Sequence, residues 1–346
     1  MTITKLAWRD LVPDTESYQE LFAQPDLAKE HEFILSDTQP RLHYALEQVL
    51  SPWATAPFML LKAPEEAEYL TLLGDAVRQL KPEANAVFGG QYRIAGHDVT
   101  FEPAAQADGR FAAKGEVITA NWVEAEQLFG CLRQFNGELS LQPGLVHRAN
   151  GGVLIISLRT LLSQPLLWMR LKTIVHQQRF DWVGYDESRP LPVSVPSMPL
   201  SLTVVLTGDR ESLADFQEME PELAEQAVYS EYEDNIQIAD ADDMAQWCQW
   251  VMAVAERFAL PTPAADAWPG LIREAVRYTG DQETLPLCPL WIGKQLREVG
   301  VLSGDGAFTG EQLTQMLAQR EWREGYLADR MQDEILLEQI LVETEG

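Results

Sequence analysis

The side chains best placed to do chemistry follow two runs of apolar residues. FMLLK at 58–62 leads into Ala63-Pro64-Glu65-Glu66-Ala67-Glu68, and VLIIS at 153–157 leads into Leu158. Such apolar runs read as strands buried on both faces. A turn that cradles a triphosphate after a strand needs glycines for close approach, a Lys for the β/γ-phosphates and a Ser or Thr for magnesium. A second strand ending in Asp-Glu would hold the metal and activate water. Neither is present. No GxxxxGK[ST] occurs anywhere, and Gly293-Lys294 runs into Gln295 within a helical pattern. At the second tip Ser157 is a weak ligand for water and Leu158 cannot act as a base.

Charge sharpens the point. A helix N-terminus carries roughly +0.5 of a charge and attracts anions. After FMLLK that place is filled by Glu65, Glu66 and Glu68, so a triphosphate would meet like charge. The same residues also read as ordinary first-turn acids of a helix over 64–80. Leu158 likewise reads as core, and Ser157 as the cap of the next turn. Asp209, which ends LTVVLTGD, is placed either to touch a ligand or to cap the helix that starts ESLADF.

Other constellations are weaker. His31, His43, His97, His147 and His176 are scattered, and no GxSxG elbow is present. His147, beside Arg148 and Asn150, reads as a structural hydrogen-bonding residue in a loop. Cys131, Cys248 and Cys288 are odd in number and lack zinc spacing. They are expected to be buried free thiols of a reducing cytosol, and no metal site is expected.

These residues need elements to hold them. The chain has 346 residues, 46% hydrophobic and 23% charged, which is enough apolar material for about two domains with real cores. With 26 basic and 53 acidic residues the net charge is −27. That field repels phosphate backbones and anionic lipid, so neither nucleic acid nor membrane is expected as a partner. MTITKLAWRDL has no apolar signal core, and no run nears the ~18 residues of a membrane helix. The expected location is the cytoplasm.

Strands are predicted at 58–63, 116–120, 153–157 and 202–209, with 235–239 as a last one. Helices are predicted at 36–50, 64–80, 122–132, 165–175 and 211–227. Residues 87–116 alternate and carry glycines, so they read as an inserted hairpin or a loop; 133–150 reads as a loop. Helices follow at 241–259, 264–279, 287–299 and 310–343. Strands separated by helices imply a mostly parallel sheet covered on both faces, with a helical domain beginning near Asp240.

The order of these pieces resembles a known family. LFGCLRQFNGELSLQPGLVHRANGGVLIISLRTLL at 128–162 is similar to the AAA+ modules of Lon-type proteases of the LonB/LonC branch, of the LonH type. PLLWMRLKTIV, PLPVSVPSMPL, LTVVLTGDRESL and MEPELAEQAVYSEYED continue the resemblance in order, and residues 318–346 resemble the helix leading into the Lon peptidase domain. The resemblance therefore covers most of the chain. It implies an α/β fold of the AAA+ type: an αβα sandwich on about five strands over residues 1–240, then a helical lid over 241–346 leading toward a Ser/Lys peptidase domain absent here.

The resemblance also marks what has changed. Lys62, Ala63, Pro64, Glu65, Glu66, Ser157, Leu158 and Asp209 stand where relatives build the nucleotide pocket, which here reads as degenerate. Glu222-Leu223-Ala224-Glu225-Gln226 has no Arg where many modules place arginine fingers, so Ala224 and Gln226 mark a lost finger. Together these changes remove the electrostatic elements of phosphoryl transfer. Phe129, Gly130 and Phe135 fall where relatives place a loop facing the ring pore, and are candidates to grip extended peptide; Phe129 also reads as the anchor of its helix in the core.

The implied function is that of a degenerate module in ring assembly and unfolded-substrate handling for the Ser/Lys endopeptidase. Its partners would be unfolded or misfolded polypeptides, its own peptidase domain and further copies of itself, and no resident cofactor is expected. One alternative is an ATP-Mg-dependent hydrolase using Asp209 and Lys62. Another is a binding scaffold independent of proteolysis.

Overall fold

The computed structural model describes residues 14–24, 35–81, 86–104, 109–184 and 190–337, and at Phe135 the backbone alone. The predicted N-terminal segment before residue 14, His31 and the continuation of the last helix past residue 337 lie outside these residues.

After a 3₁₀ turn at Glu16–Tyr18 come helices α1 (Gln19–Phe22), α2 (Leu35–Thr38) and α3 (Pro40–Leu50). Strand β1 (Phe58–Lys62) and helix α4 (Ala67–Leu80) follow. Next are β2 (Phe88–Ala95), β3 (Asp98–Pro103), β4 (Phe111–Ala113) and β5 (Val117–Ala120). Helix α5 (Ala125–Phe129), β6 (Cys131–Phe135), β7 (Glu138–Gln142) and α6 (Leu145–Arg148) lead to β8 (Val153–Ser157). Helices α7 (Leu158–Ser163) and α8 (Pro165–Gln177) precede the short pair β9 (Arg179–Phe180) and β10 (Met198–Pro199). Then come β11 (Thr203–Gly208), α9 (Arg210–Met219), α10 (Pro221–Gln226) and β12 (Val228–Glu231).

The central sheet has five parallel strands in the order β12-β1-β11-β8-β5. Alternation along each strand splits the apolar residues between two faces. Phe58, Leu60, Leu154, Ile156, Val204 and Leu206 join one buried cluster with Trp168 of α8 and Phe216 of α9. Met59, Leu61, Ile155 and Val205 are equally buried and turn to the opposite face, where α4 packs on β5 and β8. The fold is therefore α/β with helices on both sides of a parallel sheet, as the sequence implied.

Several local expectations change. The fifth strand is β12; the predicted strand at 235–239 is β13 (Asn235–Gln237), which pairs antiparallel with β14 (Thr284–Pro286). Residues 87–116 hold a three-stranded antiparallel sheet, β3-β2-β4, in place of a single hairpin. The helix predicted at 122–132 stops at Phe129, because Gly130 takes φ 70°. Residues 131–142 are then a hairpin, not a loop, closed by Asn136 (φ 50°) and Gly137 (φ 82°). Asn-Gly between alternating segments is the strongest short-range hairpin signal, and it stood in the sequence as FNGE.

The contacts divide the chain into two compact units, with the join at Glu233 where the sequence placed it near Asp240. Residues 14–24 group with the helical unit, where Phe22 stacks on Trp268 with ring centres 6.1 Å apart. That unit is built on α11 (Ala241–Arg257), α12 (Trp268–Thr279), α13 (Pro289–Ser303), α14 (Gly310–Glu324) and α15 (Tyr326–Leu336). Cys131 and Cys248 are buried; Cys288, expected buried, is half-exposed beside the first turn of α13. Among the described residues no helix is long and apolar enough to cross a membrane.

Candidate functional site

The carboxyl ends of β1, β8, β11 and β12 bring most of the sequence-nominated residues together. Register places Lys62 opposite both Gly208 and Glu231, and Ser157 opposite Thr207. Helix α4 begins at Ala67, so Pro64 and Glu65 belong to the connecting turn and not to the helix as predicted. That turn is anchored by Ala63, whose N–H donates to the Gly208 carbonyl at 3.1 Å.

Glu65 then points away from α4. It is only 8% exposed. Its Oε1 accepts from Ser157 Oγ at 2.6 Å and from the Arg159 backbone N–H at 3.2 Å, while Oε2 lies 3.3 Å from Arg159 Nε. Ser157 therefore makes no side-chain cap for α7; its hydroxyl goes to Glu65, whose carboxylate reaches the Arg159 N–H of that helix instead. A buried carboxylate needs such donors. Leu158 is fully buried, and its Cδ1 would lie 3.0 Å from a Cβ added at Gly208. Glu66 occupies the N-cap position of α4 without a side-chain capping bond.

The other polar groups at this end are also engaged. Lys62 Nζ donates to Glu231 Oε2 at 2.7 Å, and Tyr229 Oη donates to Glu231 Oε1 at 2.8 Å. Those two hydrogen bonds hold the Glu231 carboxyl below the usual carboxylate range. Burial, then the Glu231 contact, pushes the Tyr229 phenol up to about 12. Asp209 caps α9, with Oδ1 accepting from the Ser212 N–H at 2.7 Å, and that bond depresses its pKa. Its role is the helix cap, one of the two readings the sequence left open.

The remaining nominated residues lie elsewhere. Ala224 is half-buried and Gln226 exposed on α10, where the Gln226 carbonyl accepts from Thr55 Oγ1 at 2.8 Å. Phe129 is 1% exposed, with the Arg170 guanidinium 4.3 Å from its ring centre. A ring held there cannot grip a peptide in solvent; of the two readings of Phe129, the anchor of α5 in the core is the one the structure has. Gly130 is required by space as well as by φ, since an added Cβ would sit 2.1 Å from the Gln142 carbonyl oxygen. Phe135 is in β6, at the turn end of the exposed hairpin.

In the HRANGG segment His147 and Asn150 are structural. His147 is buried in an aromatic cluster, stacked on Trp182 at 5.5 Å and edge-on to Phe180 at 4.2 Å. Its Nδ1 accepts from the Gly144 N–H at 3.0 Å, and its Nε2 has no hydrogen-bond partner. Burial, with a smaller push from Arg170, lowers its pKa to about 3. It lies in the short helix α6, where a loop was expected. Asn150 bridges to the strand opposite, donating to the Pro199 carbonyl at 3.1 Å and accepting from the Ser201 N–H at 2.9 Å. Among the described residues no group of three or more His, Cys, Asp or Glu is arranged to hold a metal ion.

Comparison with known proteins agrees with this architecture. Residues 114–227 match the family described as LonB-like, AAA domain. A protein of Escherichia coli (strain K12) described as a Lon protease homolog is 66% identical over 346 residues, which is all of this chain and 59% of that protein. A second Lon protease homolog, of Haemophilus influenzae, is 33% identical over 300 residues, covering 84% of this chain and 50% of its own length. The chain thus spans between half and three-fifths of the curated relatives it matches. Among solved structures, NtrX from Brucella abortus aligns at 12% identity over 86% of this chain and 56% of its own, with a TM-score of 0.44.

Proposed function

Because the chain is 66% identical along its whole length to the Escherichia coli Lon protease homolog and residues 114–227 match the LonB-like AAA domain, we propose that it is a degenerate AAA+ module. In this reading it assembles subunits and handles unfolded polypeptide for a Ser/Lys endopeptidase domain, without hydrolysing ATP. One observation carries the reading. The Glu65 carboxylate sits on Ser157 Oγ and the Arg159 N–H, where a nucleotide pocket would need a glycine turn and a metal-holding acid.

The residues at these strand ends do not fit ATP-Mg. The turn Ala63-Pro64-Glu65-Glu66 has no glycine to let a phosphate approach the backbone. Lys62 is drawn to Glu231, Leu158 is in the core, and α10 carries no Arg. The unorthodox-ATPase alternative asks Asp209 and Lys62 to act, and each already has a partner.

Calorimetry with ATP-Mg up to millimolar concentration tests the reading. No saturable heat and no magnesium-dependent phosphate release are expected. Micromolar, magnesium-dependent binding that weakens in Asp209→Ala would overturn it in favour of the ATPase. Mass measurement in solution tests assembly: a closed ring of copies is expected, and a monomer at all concentrations would remove that part.

A further inference from the structure

The opposite end of the sheet carries a feature that neither the motifs nor the proposed role uses. β5 is an outer strand of the central sheet. The Val153 N–H donates to the Glu116 carbonyl at 3.1 Å, and Val117 and Ile118 pair with Val153 and Leu154. In a parallel ladder alternate residues direct both backbone groups to the same neighbour. Residues 116, 118 and 120 therefore face β8, and Val117 and Thr119 turn their N–H and C=O groups outward. The Val117 carbonyl accepts from Arg78 Nη2 at 3.2 Å.

Outside this edge lies a cavity of about 570 Å³ that runs along residues 115–119. Arg78 of α4 and Lys81 just past its end wall one side, and Leu145 and Arg148 of α6 another. Three cations against one lining carboxylate, Glu116, is unusual for a chain with 26 basic and 53 acidic residues. Each cation is only partly spent. Arg78 pairs with Asp75 at 2.6 Å, Arg148 stands 4.0 Å from Glu116, and Lys81 Nζ has a neutral partner, the Gly151 carbonyl at 2.8 Å. Burial pulls the Lys81 ammonium below the ordinary lysine range, so an arriving carboxylate would meet a cation short of counter-charge.

We infer that this edge docks an extended acidic peptide, which lies along residues 115–119 as a sixth strand with its carboxylates against Arg78, Lys81 and Arg148. Backbone pairing would supply affinity and the cations selectivity, as in strand addition to an exposed sheet edge. A segment of about five residues spans roughly 16 Å at ~3.3 Å per residue, and the volume lies within the ~300–1,000 Å³ of ordinary ligand sites. The inference does not depend on whether ATP binds at the other end.

Fluorescence anisotropy with the full chain and a labelled pentapeptide of alternating Glu and Val tests it. Saturable binding that weakens with salt is expected, with the Lys/Val analogue at least tenfold weaker. Arg148→Glu should weaken the acidic peptide at least tenfold. Thr119→Pro removes an outward N–H while sparing the β8 ladder, so it should do the same with an unchanged circular dichroism spectrum. If that variant fails to fold, an acidic peptide N-methylated on alternate amides reads the same contact in the native chain. No binding, or equal binding of the Lys/Val peptide, would sink the inference. So would an N-methylated peptide that binds fully and is displaced by inorganic phosphate, which would make this a bare anion pocket. A β5-to-β5 dimer that excludes the peptide would overturn it as well.

Discussion

The two ends of the central sheet handle charge in opposite ways. At the carboxyl end the ionic groups turn on one another: Glu65 on Ser157 and Arg159, Lys62 on Glu231, Asp209 on the first turn of α9. At the amino end Lys81 rests on a neutral carbonyl, and the loop entering β8 is closed by glycines. Parallel α/β sheets ordinarily bind ligands at the carboxyl end. Here Glu65, Lys62, Glu231 and Asp209 at that end are engaged internally, and the amino end keeps cations only partly paired. The contrast shows that one parallel sheet can close one end on itself and leave charge at the other.

The largest effect is expected from breaking the amino end. Gly151 has φ 77°, and an added Cβ would lie 2.2 Å from Phe88 Cδ2, an aromatic ring that cannot fold away like a flexible chain end. Gly151→Ala therefore combines left-handed backbone strain with overpacking, for a loss of about 3 kcal/mol or more. Urea unfolding measures it. A loss under about 1 kcal/mol would mean that β2 and the loop before β8 can separate freely.

His147 comes next, beside the same loop. Its pKa falls from 6.5 to about 3 on burial. Above pH 6.5 it is neutral folded or unfolded and contributes no pH dependence. Between about 6.5 and 3 the unfolded chain takes up a proton that the folded chain refuses, so stability falls as pH falls, by about 1.4 kcal/mol per unit for one proton. His147→Gln keeps an acceptor for Gly144 and should remove that slope between pH 6 and 4, at a packing cost of about 1–3 kcal/mol. An unchanged acid limb would show that His147 is not the buried titrating group.

At the carboxyl end, Glu65→Ala should cost about 1–3 kcal/mol, because Ser157 Oγ and the Arg159 N–H lose their acceptor in a dry place. A double-mutant cycle with Ser157→Ala isolates the pair, and coupling near zero would show that water replaces the carboxylate. Ser157→Asp sharpens the comparison further. It places an acid at the β8 tip but sets it against Glu65, so it should destabilise the fold and gain no magnesium affinity.

How far the sequence reached follows the same physical division. Buried strands such as VLIIS and LTVVLTG are legible because they are mostly branched apolar residues, and Pro40, Pro165 and Pro289 mark helix starts through their fixed φ. The absence of a phosphate-binding turn was legible as residue types. That Glu65 would cross to Ser157 was not, because they are 92 residues apart and nothing local directs a glutamate away from its own helix. For Phe129 the sequence left a pore-facing grip and a core anchor both open, and the hairpin that follows, which decides between them, was read as a loop. The β5 edge was invisible, since Arg78, Lys81 and Arg148 meet only through topology.

Asp209→Ala comes after these. The cap bond to Ser212 is exposed and local, so its loss should cost about 1 kcal/mol. The Asp209 pKa is depressed in the fold. Its contribution is therefore present above the unfolded carboxylate value of about 3.9 and lost as pH falls through the folded value. Urea midpoints at pH 7 and pH 3 should show the Asp209→Ala penalty shrinking in acid. A penalty independent of pH would assign the loss to helix propensity.

The smallest effect is expected where neither sheet end is touched. Gly137 closes the β6–β7 turn at φ 82°, and a Cβ there would meet nothing within 4 Å. Gly137→Ala has no clash to relieve, only the left-handed conformation to pay for, and the unfolded chain loses freedom in partial compensation. A net cost of about 1 kcal/mol or less is expected by urea unfolding, with the circular dichroism spectrum unchanged. Gly151→Ala and Gly137→Ala share their chemistry and nearly share their φ, so the gap between them measures close packing alone. If both cost the same, backbone conformation and not the Phe88 contact governs the amino end.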